Sequence, residues 1–132
     1  MSIEDNKEIV RKFCGLFNTG NIPAILGTMA EDATWWVNGK SHLYDGAGIR
    51  TKSDMEKSWQ GLYSRLEGGL QLNIVAMTAE DNRVAAEVRS FGPTTVGTVY
   101  ENDYHFLFCI RDGEIAEVRE YGDMMHAVEI FG

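Results

Sequence analysis

The sequence predicts a single α+β domain over residues 1–132, in which three helices pack on the concave face of a cone-shaped, curved antiparallel sheet. Two patterns predict this class. Segments with a helical spacing of apolar residues come early, whereas strand-like segments dominate the second half, as in α+β proteins. The strand-like run 95–110 is so long that it has to curve, with a bulge, to stay on one small domain.

The three helices follow from the spacing of apolar residues and from their end signals. The first is predicted over 5–18, and Gly20 suits the position after its end. A short second helix has Pro23 in its first turn. The third is capped by Thr51 or Ser53 and runs to about Leu66.

The strands are predicted from runs of β-branched and aromatic residues. They cover residues 33–38, 70–78, 84–91, 95–110 and 114–121. Glycines mark the segment 39–48 as a loop, and a short apolar tail over 124–131 follows the last strand.

Composition narrows the possible partners. Twelve basic against 20 acidic residues give a net charge of −8. Because nucleic acids and anionic membranes are bound through Lys and Arg, this balance argues against both. The first residues do not resemble a signal peptide and no apolar run approaches the ~20 residues that span a bilayer, so we expect a cytoplasmic protein. The histidines are scattered and the cysteines lack metal spacing, so we expect neither a metal nor a cofactor.

The pair Asp112-Gly113, between two strand-like runs, predicts a two-residue hairpin turn. With regular pairing outward from this turn, Leu107 faces Val118 and His105 faces Glu120, on a strip that is otherwise apolar. An imidazole and a carboxylate at the end of such a strip form a candidate acid–base pair. The alternative is a structural pair, or an ion pair at a subunit contact.

The other face of this hairpin is predicted to be aromatic and uncovered by helices. It would carry Tyr104, Phe106 and Phe108 across from Arg119 and Tyr121. Aromatic side chains with interspersed charges are typical of protein–protein contacts, so we expect a homodimer through the sheet.

Several short stretches match one known superfamily. They are residues 17–21, 29–34, 36–39, 111–115 and 119–123. Through them the chain resembles the SnoaL-like and ketosteroid-isomerase-like members of the nuclear-transport-factor-2-like superfamily over nearly its whole length. The resemblance implies a cystatin-like cone around a small-molecule cavity. It implies no single reaction, because this fold hosts isomerases, epoxide hydrolases, polyketide cyclases, dehydratases and non-catalytic domains.

The catalytic sets of two family branches are incomplete in this chain. Phe13 and Val37 stand where ketosteroid isomerases have a tyrosine and an aspartate, and His105 stands at the position of their hairpin acid. Asn38 and Asp123 match residues of limonene-epoxide-hydrolase-like members, but the Arg-x-Asp of those enzymes is missing. In SnoaL-like cyclases an acidic residue acts near the end of the last strand, where Asp123 or Glu120 would be the match.

The sequence and the resemblance together give seven candidate site residues. The candidate catalytic residues are His105, Glu120 and Asp123, and the candidate ligand-binding residues are Trp36, Asn38, Trp59 and Tyr63. Besides His105 and Glu120, three of them have structural alternatives: Asp123 as an N-cap for the tail, Asn38 as the end of its strand, and Tyr63 as a core residue.

These residues imply a cofactor-free acid–base enzyme, an isomerase, cyclase or hydrolase, that acts on a small apolar organic molecule. The missing catalytic sets favour a second hypothesis, a ligand-binding module without chemistry. A third is a dimerisation module, in which Trp36, Trp59 and Tyr63 would fill the cavity.

Overall fold

The computed structural model describes residues 2–132, and the described chain contains four helices and six strands. The helices are α1 (Ile3–Phe17), α2 (Ile22–Leu26), α3 (Lys52–Ser64) and α4 (Met124–Phe131). The strands are β1 (Met29–Val37), β2 (Gly48–Thr51), β3 (Gln71–Glu80), β4 (Arg83–Pro93), β5 (Val99–Arg111) and β6 (Glu114–Gly122). The predicted α+β class with a curved sheet is confirmed.

The strands form one sheet in the order β2-β1-β6-β5-β4-β3. Four of its five strand pairs are antiparallel, as predicted, whereas β1 and β6 run parallel. Two elements differ from the prediction. The loop 39–48 leads into β2, which pairs with β1, and the apolar tail forms α4. The described helices include none long and apolar enough to cross a membrane.

The core lies between the sheet and the helices. α1 packs against β3, α3 against β1 and α4 against β5. Capping boxes fix the starts of the two longer helices, with Ser2 and Asp5 at α1 and Thr51 and Asp54 at α3. Phe13 of α1 is fully buried, and its ring contacts those of four other buried aromatic residues. This arrangement leaves a cavity on the concave side of the sheet.

The β5–β6 hairpin has the predicted turn but not the predicted register. Asp112 and Gly113 both adopt positive φ, 52° and 79°, as the turn requires. Next to the pair Ile110–Ile115, Ala116 of β6 forms a β-bulge and has no opposite residue in the β5–β6 register. The bulge brings Cys109 opposite Glu117 and shifts all pairing further along.

As a result, the predicted pairing of His105 with Glu120 is wrong: His105 faces Tyr121, and Glu120 faces Phe106. Side chains alternate along a strand, so the one-residue shift places the even-numbered residues of β5, instead of its odd-numbered ones, on the same face as Val118 and Glu120. The aromatic face predicted to be open is the concave face, where Tyr104, Phe106 and Phe108 are buried.

Candidate functional site

A cavity of about 520 Å³ lies between the concave face of the sheet, α1, α3 and α4. Its inner wall is mainly aromatic and apolar. The wall includes Phe13, Phe17, Trp35, Val37, Met55, Trp59, Leu72 and Phe106. Apolar walls of this kind hold organic ligands by excluding water, and a few polar groups set the ligand's orientation.

Glu120 is the one carboxylate among the β-strand side chains that line this cavity. It lies on β6 between Val37 of β1 and Phe106 of β5. The indole N–H of Trp35 donates a hydrogen bond to Glu120 Oε1 at 3.0 Å. Burial raises the pKa of Glu120 to about 7, and the Trp35 hydrogen bond opposes part of that rise by stabilising the charged form. Glu120 therefore exchanges its proton near neutral pH.

Two tyrosine hydroxyls contact each other deep in the cavity. Tyr100 and Tyr104 share a short O–H···O hydrogen bond, and Asn102 Nδ2 donates to the Tyr100 hydroxyl at 3.0 Å. Burial raises the pKa of Tyr100 to about 12 and that of Tyr104 well above its usual value. Nearby Glu120 adds to both shifts, so the hydroxyls stay protonated and act as hydrogen-bond donors.

Asn102 holds this pair in place. It is buried, and its backbone N–H donates to Ser90 Oγ at 3.1 Å. Its Oδ1 accepts the backbone N–H of Asp123 at 3.0 Å, and its Nδ2 also reaches the Asp123 carbonyl at 3.4 Å. Because the start of α4 fixes the amide, the donor to Tyr100 has a defined direction.

The mouth of the cavity is polar. Its side chains come from the segment before β2, from β2, from α3 and from the residue that follows α3: Tyr44, Asp45, Arg50, Lys57, Ser58, Ser64 and Arg65. Tyr44 is half-buried and packs over Gly46, where a Cβ would collide with the Tyr44 ring. Tyr44 thus covers part of the opening.

Comparison with known proteins agrees with this architecture. A family model described as a SnoaL-like domain matches residues 10–118. The chain belongs to the SnoaL-like family. The predicted SnoaL-like membership is thereby confirmed. The search of curated proteins finds no significant sequence match.

Solved structures share the SnoaL-like fold at low sequence identity. PrhC from Penicillium brasilianum has a TM-score of 0.86 at 14% identity, covering 97% of this chain and 86% of its own. BvnE pinacolase from Penicillium brevicompactum has a TM-score of 0.81 at 15% identity, and the match covers 96% of this chain and 91% of the pinacolase. A putative isomerase from Bacillus subtilis has a TM-score of 0.80 at 20% identity, and the match covers 100% of this chain and 96% of the isomerase. Identities this low show the fold alone.

The SnoaL-like domain brings only two of the seven predicted site residues to the cavity wall, Glu120 and Trp59. His105 is exposed on the convex face, so the predicted role in the cavity is wrong. Trp36 also lies on the convex face, where its ring is 5.2 Å from that of Tyr121 and Arg119 stacks over it at 4.2 Å. Its neighbour Trp35 faces the cavity instead, because adjacent strand residues point to opposite sides.

The other three predicted residues make structural hydrogen bonds. Asn38 Oδ1 accepts the backbone N–H of Gly122 at 3.1 Å, which joins the ends of β1 and β6. Asp123 caps α4 by accepting the backbone N–H groups of Met125 and His126. The Tyr63 hydroxyl donates to the Phe17 carbonyl at 2.6 Å. The structural alternatives for Asp123, Asn38 and Tyr63 therefore describe their contacts.

The prediction missed the polar groups that line the cavity together with Glu120, namely those of Trp35, Tyr100, Asn102 and Tyr104. A signal for three of them was present in β5. Its even-numbered positions from 100 to 110 are apolar or aromatic apart from Asn102, whereas its odd-numbered ones include Glu101, Asp103 and His105. This alternation indicates which face is buried, independently of the turn.

The convex face carries the side chains available for contact between subunits. Trp36, Arg119 and Tyr121 form a stacked group there, and Tyr121 is 43% exposed. The homodimer through the sheet stays a prediction, now with these residues at its centre in place of Phe106 and Phe108.

Proposed function

We propose that this SnoaL-like protein is a cofactor-independent acid–base enzyme that moves a proton on a small, mostly apolar organic molecule. Glu120 takes and returns the proton. The observation that carries the proposal is the Glu120 carboxyl group on the apolar inner wall of the cavity, with a pKa of about 7 and one fixed donor, Trp35. An acid–base group works best when its pKa is near the working pH, since both of its forms are then populated.

The two oxygens of the Glu120 carboxylate have different roles in this proposal. Oε1 accepts the Trp35 N–H, which fixes the orientation of the carboxylate. Oε2 faces the bound molecule and accepts its proton. A proton lost next to a carbonyl group leaves negative charge on the carbonyl oxygen, and a donor must be in place to stabilise that charge.

The tyrosine pair supplies such a donor. Either hydroxyl can donate in the Tyr100–Tyr104 hydrogen bond. Our proposal assigns the donor in that bond to Tyr100, whose oxygen accepts from Asn102, so that the Tyr104 proton is left for the ligand. Hydrogen bonds in such a chain strengthen one another, which makes Tyr104 a better donor than an isolated phenol. Tyr104 and Glu120 lie on neighbouring strands with their side chains on the same face of the sheet.

Two solved relatives support a proton-transfer or rearrangement reaction. One is called a pinacolase and another a putative isomerase. Both reaction types need a group that moves a proton, and neither name specifies a substrate for this chain. We therefore propose isomerisation or cyclisation ahead of hydrolysis.

Deuterium exchange tests the proposal without a known product. Wild-type protein is incubated in D₂O with a panel of aromatic and cyclic ketones, and loss of the α-proton signal is followed by NMR. Glu120→Gln should abolish exchange, and Tyr104→Phe should slow it roughly tenfold to a hundredfold. His105→Gln is the matched control on the convex face and should exchange at the wild-type rate. Equal exchange by wild type and Glu120→Gln would refute the role of Glu120.

A ligand carrier is the second candidate function. It is favoured by the placement of His105 and Asp123 outside the cavity, which leaves Glu120 without a second titratable partner among the predicted catalytic residues. A carrier would bind ketones in the same cavity without exchanging their protons. Its affinity would not follow the titration of Glu120, whereas the exchange rate of an enzyme would.

A further inference from the structure

The mouth of the cavity concentrates positive charge in an acidic protein. The whole chain has a net charge of −8, yet Arg50, Lys57 and Arg65 all line this opening. In the described part of the chain, none of these three forms an ion pair with a carboxylate. Asp45 is the single acidic residue that shares the mouth with them, while Glu120 lies deeper. Thr51 chiefly lowers the pKa of the Asp54 carboxyl, and Arg50 and Lys57 contribute, so Asp54 offsets part of the charge of these two. Cations placed together repel one another, so a ligand anion would stabilise the group further.

The two arginines are held in position by contacts that leave donors free. The Arg65 guanidinium stacks on the Phe131 ring, with Cζ 4.8 Å from the ring centre. Arg50 Nη2 donates to the Asp45 backbone carbonyl. Each guanidinium has five N–H groups, so both retain donors for a ligand. Stacking also leaves the edge of the Arg65 guanidinium open for a planar anion.

Both guanidinium groups act on the same point at the mouth, the Tyr44 hydroxyl. Burial raises the pKa of Tyr44 and Glu120 adds to the rise, whereas Arg65 and Arg50 oppose it. Arg50 reaches this point from β2 and Arg65 from the end of α3. The two cations therefore lie near one hydroxyl at the opening of a cavity whose wall includes Trp35 and Phe106.

We propose that the natural ligand carries an anionic group, a carboxylate or an ionised enol, which Arg65 and Arg50 bind at the mouth. Its apolar part extends inward along Trp35 and Phe106 toward Glu120. This subsite rests on the proposed function only in that the bound molecule is the one on which Glu120 acts. It narrows the substrate class from apolar compounds to amphipathic organic acids.

A matched pair of probes isolates the charge. 2-Naphthoate and 2-naphthamide have the same ring system and nearly the same shape, but only the first is an anion at pH 7.5. Isothermal titration calorimetry should give a wild-type affinity for naphthoate roughly tenfold or more above that for naphthamide. The naphthoate affinity should fall as salt is raised, because salt screens charges at an open mouth.

Variants at the mouth assign this preference to residues. Arg65→Gln and Arg50→Gln should each lower naphthoate affinity roughly tenfold and leave naphthamide affinity unchanged. Arg65→Lys keeps the charge but not the planar donor edge, so it should restore part of the affinity. Arg89→Gln removes a cation that pairs with Asp103 outside the cavity and is the control. Circular dichroism checks that each variant is folded.

The outcomes separate this proposal from the role of Glu120. Equal wild-type affinity for the two probes, or binding of neither, overturns the anionic subsite. An anion preference that survives Arg65→Gln and Arg50→Gln together also overturns it. Glu120→Gln should keep the preference for naphthoate while losing deuterium exchange, so either proposal can fail while the other stands.

Discussion

Replacing Glu120 with Gln removes the group whose burial should make this protein less stable as the pH rises. The pKa of Glu120 is raised from 4.5 to about 7 in the folded state. Between these values the folded protein keeps a proton that the unfolded chain has released. The free energy of unfolding therefore falls as the pH rises from about 4.5 to about 7, and stays constant with respect to this group above that range.

The size of the effect follows from the same pKa values. At 1.36 kcal/mol for each pKa unit, the rise corresponds to about 3 kcal/mol. Glu120 is half-buried and opens onto the cavity, so solvent reduces the figure to roughly 2 kcal/mol. Glu120→Gln keeps the side-chain shape and the acceptor for Trp35 while removing this dependence.

Urea denaturation at pH 5 and pH 8, followed by tryptophan fluorescence, measures the difference. The variant and the wild type should be similarly stable at pH 5, and the variant should be more stable by roughly 2 kcal/mol at pH 8. Glu87→Gln, which removes an exposed carboxylate from the convex face, should follow the wild type at both values. If Glu120→Gln loses as much stability as the wild type between pH 5 and pH 8, the reasoning about burial is refuted.

Three further substitutions test other features. Gly46→Ala should push the Tyr44 ring out of the mouth at little cost in stability, seen as a larger exposed fraction of Tyr44 in a crystal structure. His126→Ala removes the Nε2 acceptor for the Glu101 N–H at 3.0 Å and the ring stacked on Tyr100. It should cost roughly 1 kcal/mol and speed hydrogen exchange in α4, and unchanged exchange would count against this anchor. Trp36→Ala should weaken the predicted dimer in sedimentation experiments, and an unaltered dimer would place the contact elsewhere.

The order of helices and strands could be predicted because it depends on local pattern. Apolar spacing determines α1 and α3, and the Asp112-Gly113 turn forms because both residues tolerate positive φ. The strand β2 could not be predicted in this way, because its four residues gain their hydrogen bonds only from β1.

The candidate site was harder to predict because it depends on which face of each strand is buried. Trp35 and Trp36 are identical in type and adjacent, so composition cannot say which one faces the cavity. Glu120 was identified correctly as a cavity residue but with the wrong partner. The bulge sets the register of β5 and β6 and therefore the partner of Glu120. It forms where Ile110 and Ile115 are both buried in the core, and the sequence of the turn does not indicate this packing.

The bulge at Ala116 also determines where this hairpin can change in length during evolution. Deleting Ala116 would heal the bulge and leave Glu117 pointing outward and Glu120 inward. Deleting Arg119 instead would make Val118 and Glu120 adjacent in the chain. Because adjacent side chains point to opposite faces, only one of the two could then face the cavity. We therefore expect length variants of this hairpin to tolerate loss at position 116 and to lose the inward carboxylate when the loss falls closer to Glu120.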